Sequence, residues 1–197
     1  MPIYLVRHGE TAWTLSGRHT GATEVPLTAG GVVQAEGLRA LLGGLTFDRV
    51  LVSPRERARR TAELAGFAGR FEVAPSLAEY RYGEYEGLTG AEIQARRPGW
   101  ELWRDGCPGG ETPDEVLERA RQLIRELNSA PAARTLLFGH GHILRAVAAA
   151  YLGEPVGICR HLIVKVASVS VLGQEHGLPA IESWDLVQGP LRPAAAG

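Results

Sequence analysis

The sequence has few of the features that mark secreted proteins, proteins stabilised by structural metal ions, or membrane proteins. Its 197 residues contain two cysteines, Cys107 and Cys159, too few for a disulfide framework and without zinc-site spacing. No apolar run approaches the roughly 20 residues that span a bilayer. The start of the chain, MPIYLVRHGE, is too short and too quickly charged for a signal peptide. These absences predict a cytoplasmic protein with reduced thiols and no membrane partner.

Neither sign of charge is in excess. Lys and Arg number 21 and Asp and Glu number 22, which gives a formal net charge of −1. Nucleic-acid-binding domains usually carry a basic patch, so this balance predicts no nucleic-acid partner. Lys165 is the sole lysine and no P-loop motif is present. Fixed positive charge is therefore almost all arginine, whose planar guanidinium group suits phosphate recognition.

Short apolar runs alternate with longer amphipathic ones, which predicts an α/β layer fold in one domain, residues 1–197. Four runs are predicted strands, the last of them the weakest: Ile3–Val6, Arg49–Val52, Thr135–Phe138 and Phe71–Val73. Continuous apolar character indicates central parallel strands that are covered on both faces. Val164–Leu172 and Ala180–Trp184, which flank Gly173 and Gly177, are predicted to form an antiparallel pair at the sheet edge.

Two segments carry the signature of a capped helix start. Ser53-Pro54-Arg55-Glu56 and Thr112-Pro113-Asp114-Glu115 are each predicted to form a capping box, with proline at the first helical position. Further helices are predicted from about Gly31 to Leu42 and from His140 to a C-cap at Gly153.

Two segments depart from this alternation of strands and helices. Residues 74–110 are rich in glycine, proline and aromatics, and are predicted to form an insertion over the active site. Ala91–Arg97 is predicted to be helical within it. Trp100 and Trp103 are expected to pack this insertion rather than to form a lid. Residues 190–197 are predicted to be a frayed tail.

Two histidines follow predicted strands at equivalent positions: His8, directly after Arg7, and His140. Ligands of open α/β sheets bind beyond the carboxyl ends of the strands, so both side chains are expected in one site. A metal is the competing interpretation, because His140-Gly141-His142 has the H-x-H pattern of some zinc hydrolases. No Asp or Glu joins that pattern at ligand spacing, so a metal site is disfavoured.

Four arginines stand near the start of the helix predicted after Ser53: Arg55, Arg57, Arg59 and Arg60. Each positive charge there is unfavourable by roughly 0.3–1 kcal/mol, a penalty that a bound anion would remove. Arg57, followed by the small Ala58, is predicted to turn inward. Histidine with converging arginines is the constellation for phosphoryl transfer through a phosphohistidine. Neutral imidazole can attack phosphorus, and guanidinium groups meet the charge on the transferring oxygens.

Leu5-Val6-Arg7-His8-Gly9-Glu10-Thr11 closely resembles the signature of the histidine phosphatase (phosphoglycerate mutase-like) superfamily. Further blocks continue the resemblance in order: Gly17-Arg18-His19-Thr20-Gly21, Pro26-Leu27-Thr28, Ser53-Pro54, Arg57-Ala58, Glu79, Tyr82-Gly83, Tyr85-Glu86-Gly87-Leu88-Thr89, Gly109-Gly110-Glu111-Thr112 and His140-Gly141. The resemblance implies a three-layer α/β sandwich with a mixed, mostly parallel central sheet flanked by helices. It implies neither a metal nor an organic cofactor.

Carried over residue by residue, the resemblance implies that His8 is the phosphorylated nucleophile and that Glu79 is the acid/base for the leaving alcohol and then for water. Arg7, Arg57 and His140 would bind the phosphoryl group. The remaining implied substrate contacts are Thr14, Thr20, Gly21, Ser53, Tyr82, Gly141 and Arg145. Thr14 stands where the family often has Asn, and its hydroxyl can still donate one hydrogen bond.

The segment Tyr82-Gly83-Glu84-Tyr85-Glu86-Gly87 is short and acidic, whereas the family's mutases have an extended basic insertion there. This favours water as the acceptor. We therefore expect a metal-independent phosphatase for small phosphate monoesters, such as sugar phosphates, sugar bisphosphates or phosphoglycerate-like compounds. The branch resembles sedoheptulose-1,7-bisphosphatase-type enzymes and broad-specificity acid phosphatases. A cofactor-dependent phosphoglycerate mutase and a non-catalytic phospho-ligand binding protein stay as alternatives, and a homodimer is left open.

Overall fold

The computed structural model describes residues 2–187, and these contain one six-stranded sheet in the order β3-β2-β4-β1-β5-β6. The strands are β1 Ile3–Arg7, β2 Arg49–Val52, β3 Glu72–Val73, β4 Thr135–Gly139, β5 Val169–Glu175 and β6 Leu178–Leu186. The first four strands pair in parallel, whereas β5 and β6 add an antiparallel edge. The predicted mixed, mostly parallel sheet is confirmed.

Helices cover both faces of this sheet. They are α1 Ala12–Leu15, α2 Ala29–Leu42, α3 Glu56–Ala62, α4 Gly90–Arg96, α5 Leu102–Asp105, α6 Pro113–Ser129 and α7 Gly141–Leu152. Leu5 and Leu137 pack against α6 and α7 on one face, while Val6 and Phe138 pack against α2 and α3 on the other. Alternate residues of a strand point to opposite faces, so each central strand contributes to both cores of the three-layer sandwich.

The antiparallel edge differs from the sequence prediction. The segment from Val164 to Ser168 is not strand, because Ala167 has a positive φ of 50° and Ser168 donates its hydroxyl to the Lys165 carbonyl in a turn. Gly173 lies inside β5 rather than in a turn. The connection to β6 is made instead at Gly177, whose φ of 81° suits glycine.

The two predicted capping boxes have different outcomes. Thr112 caps α6 as predicted, with Pro113 at its start. The prediction of a capping box at Ser53 is wrong. Helix α3 begins at Glu56, and its N-cap residue, Arg55, makes no side-chain capping hydrogen bond. The reason is tertiary, because the Ser53 hydroxyl contacts His140 Nε2 at 2.7 Å. That contact draws the serine away from the helix start.

The segment 74–110 packs over the end of the sheet on the α6/α7 side. It has the predicted helix, α4, and its Trp100 and Trp103 are buried in the core rather than forming a lid. The C-cap at Gly153 is confirmed by its left-handed conformation. The tail predicted at 190–197 lies outside the described residues. Among residues 2–187, no helix has the length and apolar character to cross a membrane.

Candidate active site

Two histidines lie at the carboxyl end of the central strands. β1 and β4 are neighbours in parallel register, with Arg7 opposite Gly139. The residues that follow, His8 and His140, therefore stand side by side, and their ring centroids are 5.0 Å apart. Both side chains are buried, at 3% and 0% exposure. The structure thus brings together the two histidines that the sequence placed at equivalent strand ends.

His8 is held as a neutral imidazole with a defined tautomer. Its Nδ1 lies 2.7 Å from the Gly9 carbonyl oxygen, which only accepts, so Nδ1 carries the proton. Burial, together with the positive charges of Arg57 and Arg7, lowers the pKa of His8 well below its usual range. The Nε2 lone pair is therefore free at neutral pH, and the ring lines a cavity. This is the state that a nucleophilic imidazole needs.

Arg57 turns inward, as expected from its place before Ala58. It is fully buried, and its Nε donates to His140 Nδ1 at 3.2 Å. His140 Nε2 therefore carries the proton and donates to Ser53. Burial and the Arg57 charge lower the pKa of His140 well below its usual range. Ser53 thus contacts His140 and does not line the cavity.

The terminal nitrogens of Arg57 are also occupied. They donate to the carbonyl oxygens of Thr20 at 2.9 Å, of Gly21 at 3.1 Å and of Thr23 at 3.0 Å. Arg57 consequently joins helix α3 to the loop at residues 20–23. Its fixed charge lies beside both histidines, while its donors hold the surrounding backbone in place.

Glu86 holds the same loop from its other side, a role that sequence reasoning missed. Its carboxylate accepts from the Gly21 backbone N–H at 2.9 and 3.0 Å and from the Thr23 N–H at 3.0 Å. A Cβ at position 21 would lie 2.6 Å from the Tyr80 carbonyl oxygen, which is why glycine is needed there. Gly21 therefore supports Arg57, whereas Thr20 lines the cavity.

Glu79 is fixed at the N-terminus of α7. Its Oε1 accepts from the backbone N–H groups of Tyr80 and Ile143, both at 2.9 Å, and its Oε2 accepts from that of His142 at 3.0 Å. Two of these are donors that the helix start leaves without an intrahelical partner. The segment 74–110 thus contributes a buried carboxyl group to the cavity that His8 lines.

The cavity has a volume of about 180 Å³. Arg7, His8 and Glu79 line it. The predicted substrate contacts on its wall are Thr14, Thr20, Tyr82, Gly141 and Arg145. Thr14 reaches the wall, but its hydroxyl is bonded to the Thr11 backbone, donating to the carbonyl and accepting from the N–H. A larger hollow of about 370 Å³, bordered by Arg39 and Phe67, contains none of the predicted site residues.

Two arginines of the cavity have buried donors without partners. The Nε atoms of Arg7 and Arg145 make no hydrogen bond within residues 2–187. Arg145 forms no ion pair within these residues either. An unsatisfied buried donor costs about 1–3 kcal/mol, and more when it is charged. Because both arginines line the cavity, an anionic ligand bound there would lie next to two positive charges.

His142 is a second residue that the sequence did not assign to the site. In the sequence it stands in the H-x-H pattern of the competing metal interpretation. Its Nδ1 lies 2.5 Å from the Tyr82 hydroxyl oxygen, and its ring lines the cavity. In the part of the chain that the structure describes, no group of three or more His, Cys, Asp or Glu residues is placed to hold a metal ion.

Comparisons with known proteins agree with this arrangement. The model of the histidine phosphatase superfamily (branch 1) matches residues 3–187. An acid phosphatase of Mycobacterium tuberculosis is 42% identical, over 99% of this chain and 97% of that protein. Sedoheptulose 1,7-bisphosphatase of Saccharomyces cerevisiae is 35% identical, over 76% of this chain and 66% of that protein.

A solved structure, of an open reading frame from Mycobacterium tuberculosis, superposes with a TM-score of 0.89 at 39% identity. The match covers 94% of this chain and 97% of that one. With the strand-end histidines, the buried arginine and the cavity carboxyl group, these matches show that the chain belongs to branch 1 of the histidine phosphatase superfamily.

Proposed function

We propose that this chain is a phosphatase that hydrolyses small phosphate monoesters through a phosphohistidine on His8. One observation carries the proposal: a neutral imidazole, protonated on Nδ1, shares a 180 Å³ cavity with a buried carboxyl group and with two arginines, Arg7 and Arg145. Nucleophile, acid/base and cation are thus available to the same bound ester.

In the first step, His8 Nε2 attacks phosphorus, the new P–N bond forms and the P–O bond to the alcohol breaks. Glu79, in its protonated form, gives its proton to the leaving oxygen. Arg7 donates to the phosphoryl oxygens. Arg57 and His140 lie beside His8, and the buried guanidinium group of Arg57 contributes a fixed charge that needs no reorganisation during the transfer.

In the second step, water attacks phosphorus and the P–N bond breaks, which returns the electron pair to His8 Nε2. Glu79, now a carboxylate, accepts the proton of the water molecule. The products are the alcohol and inorganic phosphate. The three backbone donors that hold Glu79 keep its carboxyl group in one place for both proton transfers.

The substrate class that fits best is a sugar phosphate or sugar bisphosphate. Names of relatives support this class, since they include an acid phosphatase and a sedoheptulose 1,7-bisphosphatase. Arg145 supports the bisphosphate, because it is a cavity arginine without an ion-pair partner in the described chain and suits a second phosphate. A cytoplasmic location fits the free, buried thiols of Cys107 and Cys159.

The direct test is hydrolysis of a phosphomonoester by the wild type and by His8→Ala. We expect His8→Ala to lose hydrolysis while keeping the thermal unfolding midpoint within a few degrees, because the imidazole is the nucleophile. Reaction in ¹⁸O-labelled water should place one label in each released phosphate. Unchanged hydrolysis by His8→Ala would contradict the proposal. Conversion of 3-phosphoglycerate to 2-phosphoglycerate in the presence of 2,3-bisphosphoglycerate, without phosphate release, would favour the mutase.

A further inference from the structure

Two imidazole rings on the cavity wall take no part in the proposed phosphoryl transfer. The rings of His19 and His142 are parallel within 8°, with centroids 6.1 Å apart, and both line the cavity. His142 is held edge-on by Trp103 at 5.5 Å and by Tyr82 at 5.7 Å. Its side chain is 22% exposed. We call His19, Tyr82, His142 and Arg145 the outer wall.

The contacts of His142 assign its proton to one nitrogen. The Tyr82 hydroxyl is buried and has no other hydrogen-bond acceptor among the described residues, so it donates to His142 Nδ1. Burial raises the pKa of Tyr82 well above its usual range, so the phenol keeps its proton. Burial and the Arg145 charge lower the pKa of His142 well below its usual range, which keeps the ring neutral.

The proton of His142 is therefore on Nε2. No carbonyl, carboxylate or hydroxyl oxygen of residues 2–187 accepts from this N–H. His19 has the complementary arrangement. Its Nδ1 lies 2.9 Å from the Leu88 carbonyl oxygen and donates to it, which leaves Nε2 as the acceptor nitrogen of the ring. The outer wall thus presents one donor, at His142 Nε2, and one acceptor, at His19 Nε2.

We propose that His142 is a specificity-determining residue that donates its Nε2–H to a hydroxyl group in the alcohol part of the substrate, with His19 as the matching acceptor. The inference rests on the proposed function and narrows it to polyhydroxylated phosphate esters. A hydroxyl group both accepts and donates, so it suits this pair, whereas an ionised phosphoryl oxygen only accepts.

The position of His142 connects this recognition to the reaction. Its backbone N–H binds Glu79 Oε2 at 3.0 Å, while its ring faces the cavity. A hydroxyl group bound to the ring is therefore held at a fixed distance from the carboxyl group that protonates the leaving oxygen. A site built around such a polar contact discriminates strongly against analogues that lack the hydroxyl, because its buried polar groups are then unpaired.

The experiment compares kcat/KM for matched esters with and without hydroxyl groups: sorbitol 6-phosphate with n-hexyl phosphate, and glycerol 3-phosphate with n-propyl phosphate. The wild type should prefer the hydroxylated member of each pair. His142→Phe keeps the ring packing but removes the donor. We expect it to lose about tenfold in kcat/KM for the polyol phosphates and to stay within about twofold for the alkyl phosphates.

Two further variants separate recognition from structural damage. His142→Gln keeps an N–H donor and should recover part of the preference for the polyol phosphates. Tyr80→Phe is the matched control, because it removes a buried hydroxyl next to the same ring but one that donates to the Glu111 carbonyl oxygen. It should keep the wild-type ratio between the two substrates of each pair.

Equal losses of His142→Phe on both members of a pair would overturn the proposal, and so would a wild type that shows no preference. His8→Ala is measured on the same esters. Its loss of hydrolysis on both members leaves the proposed function standing even when His142 shows no selectivity. The two failures are therefore distinguishable.

Discussion

Two parts of the active site use their polar groups in opposite ways. In the inner cluster, which comprises His8, Ser53, Arg57 and His140, side chains are bonded to each other or to the backbone, and none is more than 3% exposed. In the outer wall, the Nε2–H of His142 and the Nε of Arg145 have no protein partner among the described residues.

This difference teaches how one site can combine fixed chemistry with variable substrates. Every phosphate monoester presents the same phosphoryl group, so the groups that meet it gain from being held rigidly. Alcohol parts differ, so the groups that meet them must offer free donors and acceptors. Changes in the inner cluster should therefore affect all substrates equally, whereas changes in the outer wall should alter the ratio between substrates.

The largest effect is expected for Arg57→Lys. Lysine keeps the charge, but its single ammonium group cannot reach His140 and the three loop carbonyl oxygens together. We expect kcat/KM to fall by about 10²–10³-fold for every phosphomonoester, on the scale of losing a preorganised donor. A loss in kcat/KM that depends on the alcohol part of the ester would contradict the distinction between the inner cluster and the outer wall.

Arg145→Met is expected to have the next largest effect, and a selective one. Methionine keeps much of the apolar stem but removes the charge that a second phosphate would meet. Hydrogen bonds to charged groups contribute about 1.5–3 kcal/mol, so kcat/KM for a sugar bisphosphate should fall by about 10–150-fold. The corresponding monophosphate should change little. Arg121→Met, on the exposed face of α6, is the control and should leave both values unchanged.

Histidines of the inner cluster and of the outer wall should make the free energy of unfolding depend on pH in the same direction. His8, His140 and His142 have pKa values that burial lowers well below the ordinary value of about 6.5. The unfolded chain therefore binds more protons than the folded one below that pH, so the free energy of unfolding should fall as the pH drops. Each histidine contributes at most about 1.4 kcal/mol per pH unit.

Urea unfolding at pH 7.5 and at pH 5.5 measures this dependence. His142→Phe should reduce the pH dependence by removing one of the three groups. The exposed His176 offers a matched substitution, His176→Asn, which should keep the wild-type dependence. A free energy of unfolding that does not change between the two pH values would show that these rings are not held neutral.

The smallest effect is expected for Glu86→Gln. The amide oxygen can still accept from Gly21 or Thr23, but it is a weaker acceptor than a carboxylate. We expect kcat to fall by about fivefold for all substrates alike, because Glu86 acts on Arg57 only through the loop. The exposed Glu118, on α6, provides the control Glu118→Gln, which should leave kcat unchanged. A change in substrate preference would place Glu86 functionally with the outer wall.

Local patterns predicted the parts of the fold that depend on local physics. The apolar runs of β1, β2 and β4 and the capping box at Thr112 needed only neighbouring residues. Ser53 shows where this fails, since its hydroxyl prefers a histidine 87 positions away to its own helix. Gly173 shows the same at the sheet edge, where pairing with β6 outweighs the turn preference of glycine.

The residues of the site also fall into those that the sequence could predict and those that it could not. The strand-end histidines and the inward arginine followed from topology and charge, and the remaining catalytic candidates followed from the family resemblance. Glu86 and the tautomer of His142 could not be predicted in this way. Each depends on a partner more than 50 positions away in the chain, at Gly21 and at Tyr82 respectively. Glu86 stands in one of the motif blocks and His142 in the H-x-H pattern, but only the fold shows what they contact.

The central claim is that phosphate passes through His8 before it reaches water. Rapid acid-free quenching of the wild type with a phosphomonoester, followed by mass spectrometry of the proteolysed chain, measures this directly. The account predicts a base-stable, acid-labile phosphate on the peptide that contains His8, formed at least as fast as turnover and missing from His8→Ala. Turnover by the wild type with no phosphate on that peptide at any time point would contradict it.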